Sequence, residues 1–152
     1  MSGLESLYQE IILDHSKQRT GEGFVDPGTH ASADNHQYNP TCGDEINLRV
    51  ELSDDRQTIE KVSWEGDGCS ISMASASVLS DMAPGMSLGE FQEMVDKFRE
   101  MLRSRGQIQP DEEYFGDAAA FAGVSKFVAR VKCAMLSWVA AEEATKEATV
   151  AK

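Results

Sequence analysis

Apolar side chains recur at helical spacing in four stretches of the chain, and each stretch predicts a helix that buries one face. The first stretch ends before Gly21. The second begins after Gly68 and stops at Pro84, because proline cannot continue a helix. The apolar positions are Leu4, Leu7, Tyr8, Ile11 and Ile12 in the first helix, and Ile71, Ala74, Ala76, Val78, Leu79 and Met82 in the second.

The other two helices are predicted in the second half of the chain. Ser87 and Glu90 have the spacing of a capping box, so the third helix begins there and ends near Gly106. The polar residues 107–116 follow, and they are predicted to form either a segment that faces a partner or an ordinary solvated loop. The last helix is expected to fray from about residue 144. The apolar faces comprise Phe91, Met94, Val95, Phe98 and Leu102 in the third helix, and Val128, Val131, Met135, Trp138 and Val139 in the fourth.

Between the first two helices the hydrophobic period changes to two. Apolar residues alternate with polar ones over 46–52 and continue over 59–64 after a polar turn, which predicts two antiparallel strands with one buried face. Residues 24–42 have little periodicity and predict an extended connection that carries Cys42 to the surface. With no repeat in the sequence, residues 1–152 are predicted to form a single α+β domain.

The acidic composition narrows the class of partner. The chain has 14 Lys and Arg against 26 Asp and Glu, for a formal net charge of -12. Binding to phosphates relies on clustered Lys and Arg, so nucleic acid and acidic membrane surfaces are not expected partners. The amino terminus has no basic run before an apolar stretch, and no apolar run is long enough to cross a membrane. A soluble cytoplasmic protein is predicted.

Three cysteines and one aspartate carry the candidate chemistry: Cys42, Asp44, Cys69 and Cys133. Zinc binds thiolates and carboxylates in tetrahedral geometry, and Gly43 lets the chain bend between the first two. The sparse cysteines are unlike a secreted disulfide framework, which favours reduced thiols. Alternatively, the cysteines are inert buried thiols and Asp44 is an ordinary turn residue. If the residues do bind a metal, the ion could be iron instead of zinc, because sets of thiolates bind both.

The four candidate ligands fall at predicted ends of strands and helices, where distant parts of a chain can converge. Arg130 beside Cys133 supplies a cation of the kind that lowers the pKa of a thiol. His15, His30 and His36 are not adjacent to a cysteine, and we expect them to be surface or packing residues.

Three long segments around the cysteines resemble the SufU-type members of the IscU-like family, which includes the NifU N-terminal domain. They are residues 39–44, 65–77 and 123–138, and the similarity extends from Leu7 to about Trp138. The resemblance implies an α+β domain in which a small antiparallel sheet of about three strands is covered on one side by helices.

The resemblance also implies roles for individual residues. Cys42, Asp44, Cys69 and Cys133 would be zinc ligands, and Arg130 would support the site electrostatically. Cys42 would accept sulfur from the persulfide of a SufS-type, PLP-dependent cysteine desulfurase. The expected function is a zinc-dependent sulfurtransferase in iron–sulfur cluster assembly, with downstream iron–sulfur scaffold proteins as further partners.

Two alternatives remain open at this point. An IscU-type scaffold would carry an iron–sulfur cluster on the same thiols. Such relatives have a His immediately before the third cysteine, where this chain has Lys132, and an ammonium group is no ligand. They also lack the segment at about 84–110, which resembles the SufU insertion. A purely structural zinc module is the second alternative, although this chain has a core of its own.

Overall fold

The computed structural model describes residues 3–151, with side chains from residue 6 onward. In chain order the elements are α1 (Gly3–Gln18), β1 (Ser32–Asn39), β2 (Asp44–Leu52), β3 (Ile59–Asp67), α2 (Ser70–Met82), α3 (Leu88–Arg103), the short α4 (Glu112–Phe115), a 3₁₀ helix (Gly116–Lys126) and α5 (Val128–Thr149). The predicted α+β class with a small antiparallel sheet is confirmed. The predicted position of Leu4 on the first helix lies outside the described side chains.

The sheet is antiparallel with strand order β1-β2-β3. Alternate residues of β2 are buried, and Leu48 pairs with the fully buried Trp64 of β3. The predicted alternation over these two strands is therefore confirmed, because one face of the sheet packs on helices while the other faces solvent.

β1 differs from the prediction of an extended connection without a strand. It pairs with β2 along its whole length, from Ser32 opposite Glu51 to Asn39 opposite Asp44. Its burial alternates, but the inward residues Asn35 and Gln37 are polar. Hydrophobic alternation therefore does not mark this edge strand, although the period of two is present in its structure.

The helices pack on one face of the sheet around an aromatic centre. α5 crosses β1 and β2, and α2 packs between α1 and α5. Phe98 of α3 stacks on Trp138 of α5 with ring centroids 4.1 Å apart, and Phe121 of the 3₁₀ helix meets Phe98 edge-on at 5.8 Å. These contacts fix α5, the helix that carries Cys133, against the sheet.

Two predicted boundaries can be compared with the structure. The capping box of Ser87 and Glu90 is present, and it begins α3 where the sequence predicts. The prediction that the last helix frays from about residue 144 is wrong, since α5 continues to Thr149. Ala144 and Ala148 are fully buried there. Packing against other elements therefore keeps this segment helical, although its hydrophobic pattern alone does not predict a helix. Among residues 3–151, no helix combines the length and apolarity that spanning a membrane requires.

Candidate metal centre

The tight connection between β1 and β2 places the first two candidate ligands side by side. The Gly43 N–H donates a hydrogen bond of 2.8 Å to the Asn39 carbonyl, and Gly43 adopts a φ of 72°. This left-handed conformation favours glycine because it has no Cβ. Cys42 therefore lies at the tip of the turn, and Asp44 starts β2 with its side chain in the interior.

The corner between β3 and α2 supplies Cys69 as the residue that precedes the helix. Its backbone N–H donates a hydrogen bond of 2.9 Å to Asp44 Oδ1. Gly68 allows this approach, since a Cβ at that position would overlap the Asp44 carboxylate and lie 2.6 Å from the Ser72 hydroxyl. The corner is thus shaped around the Asp44 side chain.

The second turn of α5 brings in Cys133, which is fully buried. Its Sγ lies 3.2 Å from the Sγ of Cys42, and both thiols are free. Ligand atoms of Cys42, Asp44 and Cys133 all lie within 4.8 Å of one another. Residues separated by up to 91 positions therefore present two sulfurs and a carboxylate to one point.

One atom of this cluster has no hydrogen-bond partner. Asp44 is fully buried, and its Oδ2 accepts no hydrogen bond from any described residue. Buried polar atoms are nearly always paired, so an orphaned carboxylate oxygen beside two thiols requires an explanation. A bound cation supplies one, and two sulfurs with a carboxylate oxygen suit zinc, which accepts both ligand types. The residues present therefore fit a zinc ion.

The protonation of Cys133 agrees with that interpretation. Burial raises the pKa of the Cys133 thiol well above its ordinary value, and the adjacent side chains of Asp44 and Cys42 raise it further. Without a nearby cation the buried thiol thus stays neutral. Metal binding requires the thiolate and so releases a proton from such a group.

The structure places the other predicted site residues less closely. The Cys69 sulfur is not part of the cluster, and its thiol instead lies 3.7 Å from Ser72 Oγ. Arg130 is exposed in the first turn of α5, and its guanidinium forms no hydrogen bond or ion pair with the residues that the structure describes. The structure thus gathers three of the four predicted ligands, with the fourth tied to Asp44 through its backbone.

Asn39 is a residue of the site that the sequence reasoning missed. It is buried, its Nδ2 lies 3.9 Å from Cys133 Sγ, and its Oδ1 accepts a hydrogen bond of 3.2 Å from the Thr41 N–H. One amide therefore contacts a candidate ligand and also braces the turn that carries Cys42. The signal was available, since asparagine commonly bonds to the backbone two residues further on.

A second group of possible ligands, His15, Asp81 and Asp117, lies on the α1 side of the molecule. Both ring nitrogens of the buried His15 are already paired, with Ser77 Oγ at 2.8 Å and Asp117 Oδ2 at 2.9 Å. The ring links α1 to α2 and the 3₁₀ helix, which agrees with the packing role expected of it.

The fold and the site together define a small α+β protein whose candidate metal centre joins thiols and a carboxylate at one end of a three-stranded sheet. Residues 7–134 match the NifU-like N terminal domain. The chain belongs to this family.

Individual relatives carry two different names. The chain is 40% identical over 152 residues to the "Iron-sulfur cluster assembly scaffold protein IscU" of Streptococcus pyogenes, covering all of this chain and 91% of that protein. It is 39% identical over 142 residues to the "Zinc-dependent sulfurtransferase SufU" of Bacillus subtilis, covering 93% of this chain and 91% of the relative.

Among solved structures, the crystal structure of FiSufU from Fervidobacterium islandicum is similar, with a TM-score of 0.78 and 31% identity. The similarity covers 94% of this chain and 99% of that one. The fold is therefore shared along nearly the whole length of both proteins.

Proposed function

We propose that this protein is a zinc-dependent sulfur carrier that accepts persulfide sulfur from a SufS-type cysteine desulfurase for iron–sulfur cluster assembly. The observation that carries the proposal is the cluster itself: a partly exposed Cys42 thiol lies next to a buried Cys133 thiol and an Asp44 oxygen that has no hydrogen-bond partner among the described residues. The name of the Bacillus subtilis relative supports zinc and sulfur transfer.

Cys42, Asp44 and Cys133 would hold the zinc ion, and Cys69 would join them by turning its side chain away from Ser72. Zinc, when bound, keeps the sulfurs as thiolates and protects them from oxidation. Asp44 is the hardest of the four ligands, so its bond is the one most readily exchanged. The backbone N–H of Cys69 donates a hydrogen bond to the Asp44 carboxylate and would keep it oriented toward the site.

Cys42 would be the sulfur acceptor because it is the more exposed thiol of the close pair. Its thiolate attacks the outer sulfur of the partner's persulfide, so a bond forms between Cys42 Sγ and that sulfur. The sulfur–sulfur bond of the partner breaks, and the partner's cysteine leaves as a thiolate. The exchange moves one sulfur and leaves the total charge unchanged, as in thiol–disulfide exchange.

Arg130 would support this step through its charge. It lies on the exposed first turn of α5, a few residues before Cys133, and it has no competing partner among the described residues. A cation at this position favours an approaching anionic persulfide.

The scaffold function is the second candidate, favoured by the name of the Streptococcus pyogenes relative. It requires ligands for iron, and Lys132, which is exposed directly before Cys133, offers none. Reconstitution with iron and sulfide would give cluster absorbance on a scaffold, whereas a zinc-bound sulfur carrier would give none.

Alanine release by a SufS-type desulfurase, measured under reductant with and without the zinc-loaded protein, tests the proposal. We expect large, saturable stimulation that Cys42→Ala abolishes. Thr41→Ala is the matched control, because it alters a side chain in the same turn but keeps the hydrogen bond from the Thr41 N–H to Asn39 Oδ1. Absence of stimulation by the wild-type chain, or full stimulation by Cys42→Ala, would overturn the assignment.

A further inference from the structure

A groove runs from the candidate metal centre along α5 to the end of α3. It encloses about 540 Å³, within the roughly 300–1,000 Å³ typical of binding pockets. Its floor is apolar and includes Leu102, Val131, Met135, Leu136 and Val139. We call this feature the basic groove, because basic side chains are among its lining residues.

Positive charge is concentrated at the rim of the basic groove. Arg103, Arg105 and Lys132 line it and are exposed, and no Asp or Glu is found among its lining residues in the described chain. None of the three cations forms an ion pair with a described residue. In a protein of net charge -12, an acid-free cationic surface selects an anionic occupant.

The mouth of the groove also presents large apolar side chains to solvent. Tyr38 is 56% exposed and Val128 is 64% exposed. Exposed apolar residues that continue into an apolar floor are typical of surfaces that bind another protein. A small inorganic anion would leave this apolar surface uncovered, so the occupant requires both charged and apolar groups.

The groove adjoins the thiol pair through residues that neighbour the two cysteines. Asn39 and Pro40 line it, and Asn39 Nδ2 lies 3.9 Å from Cys133 Sγ. Lys132 precedes Cys133 in α5. An occupant of the basic groove is therefore held beside the sulfur pair, where it would orient a donor toward Cys42.

We propose that the basic groove receives a segment of the sulfur-donating desulfurase in which acidic side chains neighbour large apolar ones. The proposal rests on the proposed function for the identity of the partner. Apolar side chains of the segment would cover Val131 and Val139, which are partly exposed, and its carboxylates would face Arg103 and Arg105. Docking there contributes affinity and orientation, while the chemical step stays with Cys42.

A second groove on the other side of α5 is the competing site. It is lined by Leu13, Phe127, Lys126 and Arg130, among others. It has fewer cations than the basic groove, and Lys126 already has an interaction partner. Charge complementarity thus favours the basic groove.

The test titrates the zinc-loaded protein into desulfurase and follows alanine release at low ionic strength. For the double variant Arg103→Glu/Arg105→Glu we expect the half-saturating concentration to rise at least roughly tenfold, with the maximal rate at saturation retained. Added salt should shrink the difference, because it screens the charges. Thermal melting verifies that the variant is folded.

Two variants serve as controls. Arg103→Lys/Arg105→Lys keeps both charges and should behave like the wild type. Lys17→Glu reverses an exposed charge at the end of α1 on a residue that lines neither groove, and it should change nothing. An equal rise with Lys17→Glu would attribute the effect to net charge and overturn the proposal.

Two further results would also overturn it. One is an unchanged half-saturating concentration in the double Glu variant. The other is a rise with Leu13→Asp alone, which would place the partner in the second groove. If the wild-type chain gives no stimulation, the proposed function fails, and titration calorimetry of the two proteins decides the docking question separately. If the double Glu variant binds more weakly and Lys17→Glu does not, the proposal that the basic groove is the docking site stands. If the two proteins do not bind at all, the proposal is rejected.

Discussion

Two buried carboxylates, Asp44 beside the amino-terminal end of α5 and Glu142 nearer its carboxy-terminal end, have opposite surroundings. Glu142 of α5 accepts a hydrogen bond of 2.7 Å from Arg99 on one oxygen and one of 2.7 Å from Gln92 on the other. Asp44 is more deeply buried, yet only one of its oxygens is paired, with the backbone of Cys69. The first carboxylate has its cation within the fold, and the second has none among the residues that the structure describes.

The pKa values follow the same division. Burial alone would raise the pKa of Glu142, but the hydrogen bonds from Arg99 and Gln92 and the charge of Arg99 outweigh it and lower that pKa. At the other end, burial beside Asp44 raises the pKa of Cys133. The α3–α5 contact is therefore electrostatically complete, whereas the Asp44 carboxylate beside the thiols has no cation among the described residues.

The substitution expected to have the largest effect on the difference between the two carboxylates is Asp44→Asn. The amide keeps an oxygen for the Cys69 N–H but removes the charged ligand, so zinc affinity should fall by more than about 100-fold, since even loss of an outer-shell partner costs roughly 10–100-fold. Competition with a chromogenic chelator measures this. In the metal-free state the free energy of unfolding should change by less than about 1 kcal/mol. Unchanged zinc affinity would remove Asp44 from the ligand set.

Glu142→Gln is the matched change at the carboxylate that is already paired with Arg99 and Gln92. It should lower the free energy of unfolding by about 1–3 kcal/mol, because a charge-assisted bond to Arg99 is lost, and it should leave zinc affinity unchanged. Urea denaturation with chelator present measures the first effect.

The same variant gives a dependence on pH. Because the pKa of Glu142 is lowered in the native state, its contribution is fully present above the ordinary Glu pKa of about 4.3 and is lost as the pH falls through the native value. The difference between wild type and variant should therefore be constant near neutrality and shrink in acid. A difference that grows in acid would contradict this assignment.

Asn39→Leu tests whether the thiol end also depends on its bracing amide. Leucine has a similar volume but cannot bond to Cys133 Sγ or to the Thr41 N–H. Sulfur transfer should slow by roughly tenfold, and the thiolate-to-metal absorption band of the cobalt-substituted protein should shift. The conservative variant Asn39→Gln should recover part of both signals. An unshifted cobalt spectrum would leave Asn39 with a packing role only.

Ser87→Ala is expected to have the smallest effect on the free energy of unfolding. It serves as a reference for the substitutions at both carboxylates. It removes the side-chain half of the capping box at the start of α3. The free energy of unfolding should fall by about 1 kcal/mol, with zinc affinity and sulfur transfer unchanged. Loss of transfer activity in this variant would mean that small losses of stability reach the site, and activity data on the other variants would then need correction.

The parts of the fold that sequence predicts are those where burial and hydrophobicity coincide. β2, with Ile46 and Leu48 turned inward, and α3, with its capping box, were predicted to within about three residues at each boundary. β1 was missed because its inward residues are polar, and the 3₁₀ helix at 116–126 has no amphipathic pattern to detect. The ordered end of α5 depends on packing against other elements, which a local pattern does not contain.

The site shows the same limit more clearly. The turn at Gly43 and the corner before Cys69 were predictable from residue type and spacing. That Asp44 would keep an oxygen without a partner, and that Cys133 would lie 3.2 Å from Cys42, depends on how α5 crosses the sheet. Local sequence therefore indicated the candidate ligands, and tertiary packing decides how close they are.

The most direct measurement is the location of the transferred sulfur. The zinc-loaded protein is incubated with desulfurase and cysteine, its thiols are alkylated, and its peptides are analysed by tandem mass spectrometry. The account predicts one added sulfur on Cys42 and none on Cys69 or Cys133. Sulfur on Cys133 instead, or none on any cysteine while the desulfurase turns over, would contradict it.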